Sequence, residues 1–258
     1  MALGYMLVRR PYVLAHRGAS GYAPENTFAA FDRAIALKSD GIETDVRATK
    51  DGVLVLVHDA NLDRTTDGEG PVSDLTHAEL QKTDAGSTFH PRFAGERVPT
   101  AEAFLERYAR RLPLCLEVKQ PGVEAKLVEL VRARDLLHGR PPEDVGSREQ
   151  LALPPVTFTS FNWDACLAVK KAAPEAVVGF LTRDFSDESI KRVADAGLEQ
   201  ICPIAESCTS ERVLAARDRG LSVRAWGVSD RETLRSAVKA GIDGTTCNWP
   251  DWSLDPNR

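Results

Sequence analysis

PVTFTSFNWDACLAVKKAAPEAVVGFLT, residues 155–182, sets the architecture of this chain. A β-branched and aromatic run, PVTFTSF (155–161), gives way to WDACLAVKKAA, whose apolar spacing is helical, and then to a second apolar run, AVVGFLT (176–182). The cadence continues C-terminally through DESIKRVADA, EQICPI (199–204), SERVLAARDRG, LSVRAWGV (221–228), DRETLRSAVKAG and a closing DGTTC. Upstream it runs YVLA (12–15), NTFAAFDRAIALK, GIETDV, VLVLVH, PLCLEVK (113–119) and VEAKLVELVRARDLL. In the first of these helical segments Phe28, Phe31, Ala34 and Ile35 share a face, and Asn26 or Thr27 can cap it behind Pro24. Strand-like runs alternating with helices are the signature of βα units and a parallel sheet. Eight such units, with VLVLVH counted as the third strand, predict an α/β fold: a closed (β/α)8 TIM barrel occupying residues 1–258 as one domain. An open doubly wound sheet would need a GxGxxG turn after its first strand, and HRGASG is not that turn.

Two departures from regularity stand out. GIETDV and VLVLVH are joined only by a short turn around Lys50-Asp51-Gly52, with no room for a helix. Residues 59–98 then form an insertion after the third strand, with RTTDGEG as its turn-forming core. Long insertions on a barrel usually cover the active-site face. GRPPEDVGSREQLALPP (139–155) reads as a surface loop.

At 258 residues, with 43% hydrophobic and 28% charged residues, the chain has the composition of a soluble globular protein with ample core. A formal net charge of −5 provides no basic footprint, which argues against nucleic acid as a partner. The five cysteines are scattered without a CxxC pair, as expected of reduced thiols. Cys166 and Cys208 could act as nucleophiles in principle, but neither has a histidine nearby in sequence. In MALGYMLVRRPYVLAHRG the arginine pair follows the apolar residues, the reverse of a secretory signal, and no apolar run approaches the ~20 residues of a membrane helix. The expectation is a cytoplasmic protein without stable membrane association, a monomer or homodimer.

The chemistry concentrates at strand ends. His16 follows YVLA, Glu43 and Asp45 lie in GIETDV, His58 follows VLVLV, and Glu117 and Lys119 close PLCLEVK. Alternation along a strand puts Glu43 with Asp45, and Glu117 with Lys119, on the same face. In a barrel, the inward face at the C-terminal strand ends carries the active site. Four adjacent strands would then deliver two imidazoles, three carboxylates and an ammonium to one rim. Three oxygen ligands suit one hard divalent cation, Mg²⁺ or Ca²⁺, better than zinc, which would recruit the histidines or cysteines. Without a cation the carboxylates would repel one another and one would take up a proton. His16 and His58 are then free for proton transfer, and Arg17 and Lys119 can neutralise phosphoryl charge. This is equipment for phosphodiester cleavage. His77, His90 and His138, in loop or helix-end contexts, read as solvated.

These motifs, HRG…PENT, ExD, HDxxLxRTTxGxG, ELQKTDAG, GERVPT and LEVK, resemble the glycerophosphodiester phosphodiesterase family over nearly the whole chain, most densely over 13–119. The resemblance implies a TIM barrel with a segment inserted after the third strand. It also implies hydrolysis of glycerophosphodiesters, such as glycerophosphocholine or glycerophosphoethanolamine, to glycerol 3-phosphate and an alcohol. By matching position, His16 and His58 would be the catalytic pair and Glu43, Asp45 and Glu117 the metal ligands. Arg17 and Lys119 would contact phosphate, Trp226 would stand beside the glycerol, and Phe161 would form an aromatic wall. The chain departs from the family where W-T-V-N becomes Trp226-Gly227-Val228-Ser229, and where a T-D-x-P turn becomes Cys247-Asn248-Trp249-Pro250-Asp251. Both changes bear on the alcohol pocket. An alternative on the same core is a lysophospholipase D-type enzyme, which would favour an exposed apolar lip. The insertion holds only Phe89 and Phe93 as aromatics, so a small soluble substrate is expected. A non-catalytic phosphodiester-binding barrel would not need both histidines and all three carboxylates.

Overall fold

The structure is a computed structural model that describes residues 10–137 and 154–254. Its strands are β1 (Tyr12–His16), β2 (Gly41–Ala48), β3 (Leu54–Leu56), β4 (Leu114–Val118), β5 (Val156–Ser160), β6 (Val178–Thr182), β7 (Gln200–Pro203), β8 (Ser222–Ala225) and β9 (Gly244–Cys247). Eight of them run parallel in the ring order β1-β2-β4-β5-β6-β7-β8-β9, and β9 closes back onto β1 with Tyr12 opposite Gly244. The helices are α1 (Phe28–Ala36), α2 (His77–Leu80), α3 (Ala101–Tyr108), α4 (Glu124–Arg132), α5 (Trp163–Ala172), α6 (Asp187–Asp195), α7 (Ser210–Asp218) and α8 (Arg231–Ala240). The fold is the expected (β/α)8 TIM barrel.

The third strand-like run does not enter the ring. β3 pairs antiparallel with β2, Val46 opposite Leu56, because only residues 49–53 join the two. A parallel crossover needs a dozen residues or more, so a link this short leaves only a hairpin. Gly52, at φ +78°, makes the turn. The eighth ring strand is instead the closing Gly244–Cys247 run, and His58 projects from just beyond the hairpin rather than from a ring strand. The insertion does follow the third strand in chain order. Its Leu62, Val72, Leu80, Ala85 and Val98 form a small apolar cluster with Val55 of β3 and Val57.

Between strands and helices the main core is aliphatic and aromatic, with Ile42, Leu114, Leu116 and Phe158 buried beneath the helices. Phe31 of α1 and Phe104 of α3 meet at 4.6 Å between ring centroids, fixing the helices beside β2. Side-chain caps start every one of these helices except α4, and at the head of α1 it is Thr27, not Asn26, that accepts from the Ala30 amide. Among the described residues no helix is long and apolar enough to cross a membrane. The expected loop at 139–155, save its last two residues, and His138 lie outside the described residues, as do residues 1–9.

Candidate active site

Strand register gathers the acidic residues. His16 pairs with Glu43 across β1 and β2, and Asp45 pairs with Glu117 across β2 and β4. Oxygens of Glu43, Asp45 and Glu117 all come within 4.8 Å of one another, and all three residues are buried. The chain leaving β1 turns sharply through Arg17 (φ 55°) and Gly18 (φ 79°). A left-handed arginine is uncommon and costs energy, and such conformations concentrate at functional sites. Here it aims the Arg17 amide at Glu43 Oε2, 3.0 Å away, and brings Arg17 Nε to 3.3 Å from Asp45 Oδ2. Asn26, also left-handed at φ 56°, donates to Asp45 Oδ2 at 2.9 Å while accepting from Thr44 Oγ1 at 2.7 Å. Lys119 Nζ completes the surround, 2.7 Å from Glu117 Oε1 and 3.8 Å from Asp45 Oδ1.

Three carboxylates this close cannot all ionise comfortably. Burial, then the charges of Asp45 and Glu117, push Glu43 well above the ordinary carboxyl value. Burial and Asp45 push Glu117 up to about 7. Burial acts on Asp45 in the same sense, but Arg17 and the other cations outweigh it and hold that carboxyl below the usual range. Asp45 Oδ1 is enclosed without a hydrogen-bond donor. An orphaned anionic oxygen beside two further carboxylates is a donor set that a hard divalent cation fits, so Glu43, Asp45 and Glu117 can hold a metal ion.

The histidines flank this cluster with matching orientation. His16 Nδ1–H donates to Asn248 Oδ1 at 2.6 Å, because an amide oxygen can only accept, and its Nε2 stands 4.0 Å from Glu43 Oε2. Burial and the Arg17 charge pull His16 down to about 4, so the ring is neutral near pH 7. His58 Nδ1 lies 2.6 Å from Asp59 Oδ1, and its Nε2 accepts from Lys119 Nζ at 3.1 Å. Burial lowers His58 as well, against the opposing charge of Asp45. Arg47 steadies the His58 backbone with two hydrogen bonds to its carbonyl, at 3.0 and 2.8 Å. Both rings therefore turn Nε2 inward. That arrangement can take up and deliver protons on either side of a bound group.

Above the cluster opens a cavity of about 320 Å³ lined by His16, Arg17, Glu43, His58, Glu117, Phe161 and Trp226, among others. Phe161 and Trp226 meet edge to face at 4.9 Å and form its aromatic side, and Lys119 Nζ lies 5.7 Å from the Phe161 ring centre. The structure thus brings together His16, Arg17, Glu43, Asp45, His58, Glu117, Lys119, Phe161 and Trp226. Cys166 and Cys208 are buried, and burial pushes both thiols up to about 12, far from nucleophilic character. Among the remaining histidines, His90 is exposed as expected, but His77 is half-buried with Nε2 enclosed and unpartnered.

A model of the glycerophosphoryl diester phosphodiesterase family matches residues 16–252. The chain belongs to that family. A glycerophosphodiester phosphodiesterase of Caldanaerobacter subterraneus is 36% identical over 245 residues, spanning 93% of this chain and 94% of its own. The crystal structure of a glycerophosphodiester phosphodiesterase from Agrobacterium tumefaciens superposes with a TM-score of 0.79 at 29% identity, over 95% of this chain and 100% of its own. A phosphodiesterase from Oleispira antarctica, in complex with the product sn-glycerol-3-phosphate, superposes with a TM-score of 0.80 at 27% identity, over 95% of this chain and 96% of its own. As a member of the glycerophosphoryl diester phosphodiesterase family, this chain is a hydrolase of phosphodiesters.

Within that family frame, sequence reasoning missed the residues that support the site. Asp59 adjoins His58 in the HDxxL motif, and Glu25 and Asn26 sit inside PENT, so the signal was present in motifs already recognised. Arg64, from the RTT stretch, binds Asp59 through Nε and Glu25 through both Nη atoms at 2.8 Å. Asn248 was visible only as a departure from the family pattern. Arg224 carried one signal, a cation within the otherwise apolar LSVRAWGV.

Proposed function

We propose that this chain hydrolyses small glycerophosphodiesters, such as glycerophosphocholine or glycerophosphoethanolamine, to glycerol 3-phosphate and an alcohol. Glu43, Asp45 and Glu117 would hold one divalent cation, Mg²⁺ or Ca²⁺ by the all-oxygen donor set. When bound, the cation supplies Lewis-acid stabilisation of phosphoryl charge and lowers the pKa of a nearby hydroxyl. Arg17 and Lys119 neutralise the remaining phosphate charge from the rim, and Phe161 and Trp226 wall the glycerol. The glycerol 2-hydroxyl attacks phosphorus in line while one histidine takes its proton at Nε2. The other histidine, charged by a second proton at Nε2 once the phosphate anion is bound beside it, gives that proton to the departing alcohol oxygen as the P–O bond breaks. Hydrolysis of the cyclic glycerol phosphate reverses the two roles: water loses a proton to one Nε2 and the ring oxygen gains one from the other.

The observation that carries this reading is the cluster of three buried carboxylates, with Asp45 Oδ1 orphaned, between two inward-turned Nε2 atoms. The test is release of glycerol 3-phosphate from glycerophosphocholine by wild type, His16→Ala and Glu43→Ala, with and without EDTA. Wild type should lose activity in EDTA and recover it with Mg²⁺ or Ca²⁺, and both variants should stay nearly inactive. Full hydrolysis in EDTA would remove the cation from the scheme. An unimpaired His16→Ala variant would remove the imidazole.

A further inference from the structure

One buried charge in the barrel has no part in the scheme above. Arg224 of β8 is 2% exposed, yet it lines the same cavity as the histidines and the acidic cluster. Alternation along β8 points it inward one layer below Trp226. Burying a guanidinium costs several kcal/mol unless an anion or a full set of acceptors receives it. Among the described residues no carboxylate lies within ion-pair distance of Arg224, although the charge of Glu43 acts on it from further off. Its acceptors are neutral: Nε donates to Gln200 Oε1 at 3.0 Å, Nη1 to Thr246 Oγ1, and Nη2 to Cys202 Sγ at 3.5 Å. Gln200 is itself anchored by the Tyr12 hydroxyl, 3.0 Å from its Nε2, so the guanidinium is held from beneath and from the sides. Three of the five N–H groups of the guanidinium are engaged in this way, which leaves one on each Nη without a protein acceptor.

The floor is therefore polar and rigid, whereas the wall of Phe161, Leu181 and Trp226 is apolar. A substrate with an apolar carbon face and an oxygen at its tip matches that pairing. With the phosphate at the rim beside Arg17 and Lys119, the part of a glycerophosphodiester that reaches downward is the glycerol end. We propose that Arg224 binds the terminal hydroxyl of the glycerol half, donating its spare N–H groups to that oxygen, and so selects substrates whose terminal hydroxyl is free. An ester at that oxygen would force an acyl chain into a closed, charged floor, which sets lysophospholipids apart from deacylated diesters. The inference rests on the phosphodiesterase reading of the site.

Two p-nitrophenyl phosphodiesters test it, one of glycerol and one of 1,2-propanediol. Leaving group and attacking secondary hydroxyl are shared, and only the terminal hydroxyl is missing from the second. Wild type should favour the glycerol compound by about 10- to 100-fold in kcat/KM, the value of a hydrogen bond to a charged group. Arg224→Met should shrink that ratio to within about threefold, chiefly by losing the glycerol compound. Thr246→Val, which frees the guanidinium without deleting it, should shrink the ratio partway. Equal turnover of both compounds by wild type overturns the proposal even if Arg224→Met does not fold. Equal losses on both compounds in a folded Arg224→Met overturn it in favour of a purely structural charge. If metal-loaded wild type hydrolyses neither compound, the phosphodiesterase reading fails first and the proposal falls with it.

Discussion

Asp59 Oδ1 lies 2.6 Å from His58 Nδ1, and this one contact decides which nitrogen of the ring faces the cavity. With the Nδ1 proton held by the carboxylate, Nε2 keeps its lone pair and accepts from Lys119. Asp59→Ala should leave binding nearly intact and lower kcat by about 10- to 100-fold, the usual cost of removing a supporting carboxylate. His58→Ala should cost more, about 10²- to 10⁴-fold. Steady-state kinetics on glycerophosphocholine separate the two. Wild-type kcat in Asp59→Ala would show that the tautomer is set elsewhere.

Arg64 ties Asp59 to Glu25, and Glu25 in turn binds Arg17 Nη1 at 2.8 Å, so one chain of charges links the insertion to the turn after β1. The Arg64 side chain is 50% exposed, and ion pairs in such settings contribute at most about 1 kcal/mol to stability. Its effect belongs to geometry. Arg64→Ala should lower kcat by roughly tenfold while the unfolding free energy falls by less than about 1 kcal/mol. Glu25→Gln and Arg64→Ala should be strongly non-additive in a double-mutant cycle on kcat. Additive losses would mean that the two residues act separately.

The ring itself was legible from the sequence because βα units repeat at near-constant spacing, and each of 155–182 and 199–228 resolves into a strand, a helix and a strand as the pattern predicts. VLVLVH was misplaced for a physical reason. A buried ring strand and an equally apolar hairpin strand look alike in composition, and only the length of the 49–53 link distinguishes them. At the site, the charges on strands could be read because charges are rare there. Asn26, Asp59 and Arg64 lay inside recognised motifs, but their roles could not be assigned, since polar residues in loops are common and these contacts form only once the turn after β1 and the insertion fold against each other. Asn248 is further still: its partner His16 lies 232 positions away, a distance no local pattern spans.

Glu43 separates the needs of binding from those of folding. Burial and two neighbouring carboxylates already favour its protonated form, so glutamine should replace it at little cost to the fold. Glu43→Gln should therefore melt in EDTA no lower than wild type. It should also lose any rise in melting temperature that a divalent cation confers, and its hydrolysis should fall by at least about 10²-fold. Differential scanning fluorimetry with and without Mg²⁺ or Ca²⁺ reads both effects. A cation-dependent rise that survives in Glu43→Gln would place the ion elsewhere.

The acidic cluster and His16 also dictate how stability should vary with pH. Glu117 sits at about 7 in the fold, above the ordinary glutamate value of 4.5, and Glu43 is raised in the same sense. Between those values the folded state binds more protons than the unfolded one, so stability from this source is complete below 4.5 and is lost as pH climbs through about 7. His16 works from the other side. Its value falls from 6.5 to about 4, so its contribution is complete above 6.5 and is lost as pH drops toward 4. A cation bound by the carboxylates would need them ionised, and would offset their repulsion where that repulsion is greatest. The rise in melting temperature on adding Mg²⁺ or Ca²⁺ to chelated protein should thus be small at about pH 5 and large at about pH 8. A rise of equal size at both would mean that the ion engages groups other than Glu43, Asp45 and Glu117, since no other buried cluster of acids among the described residues would release protons over that interval.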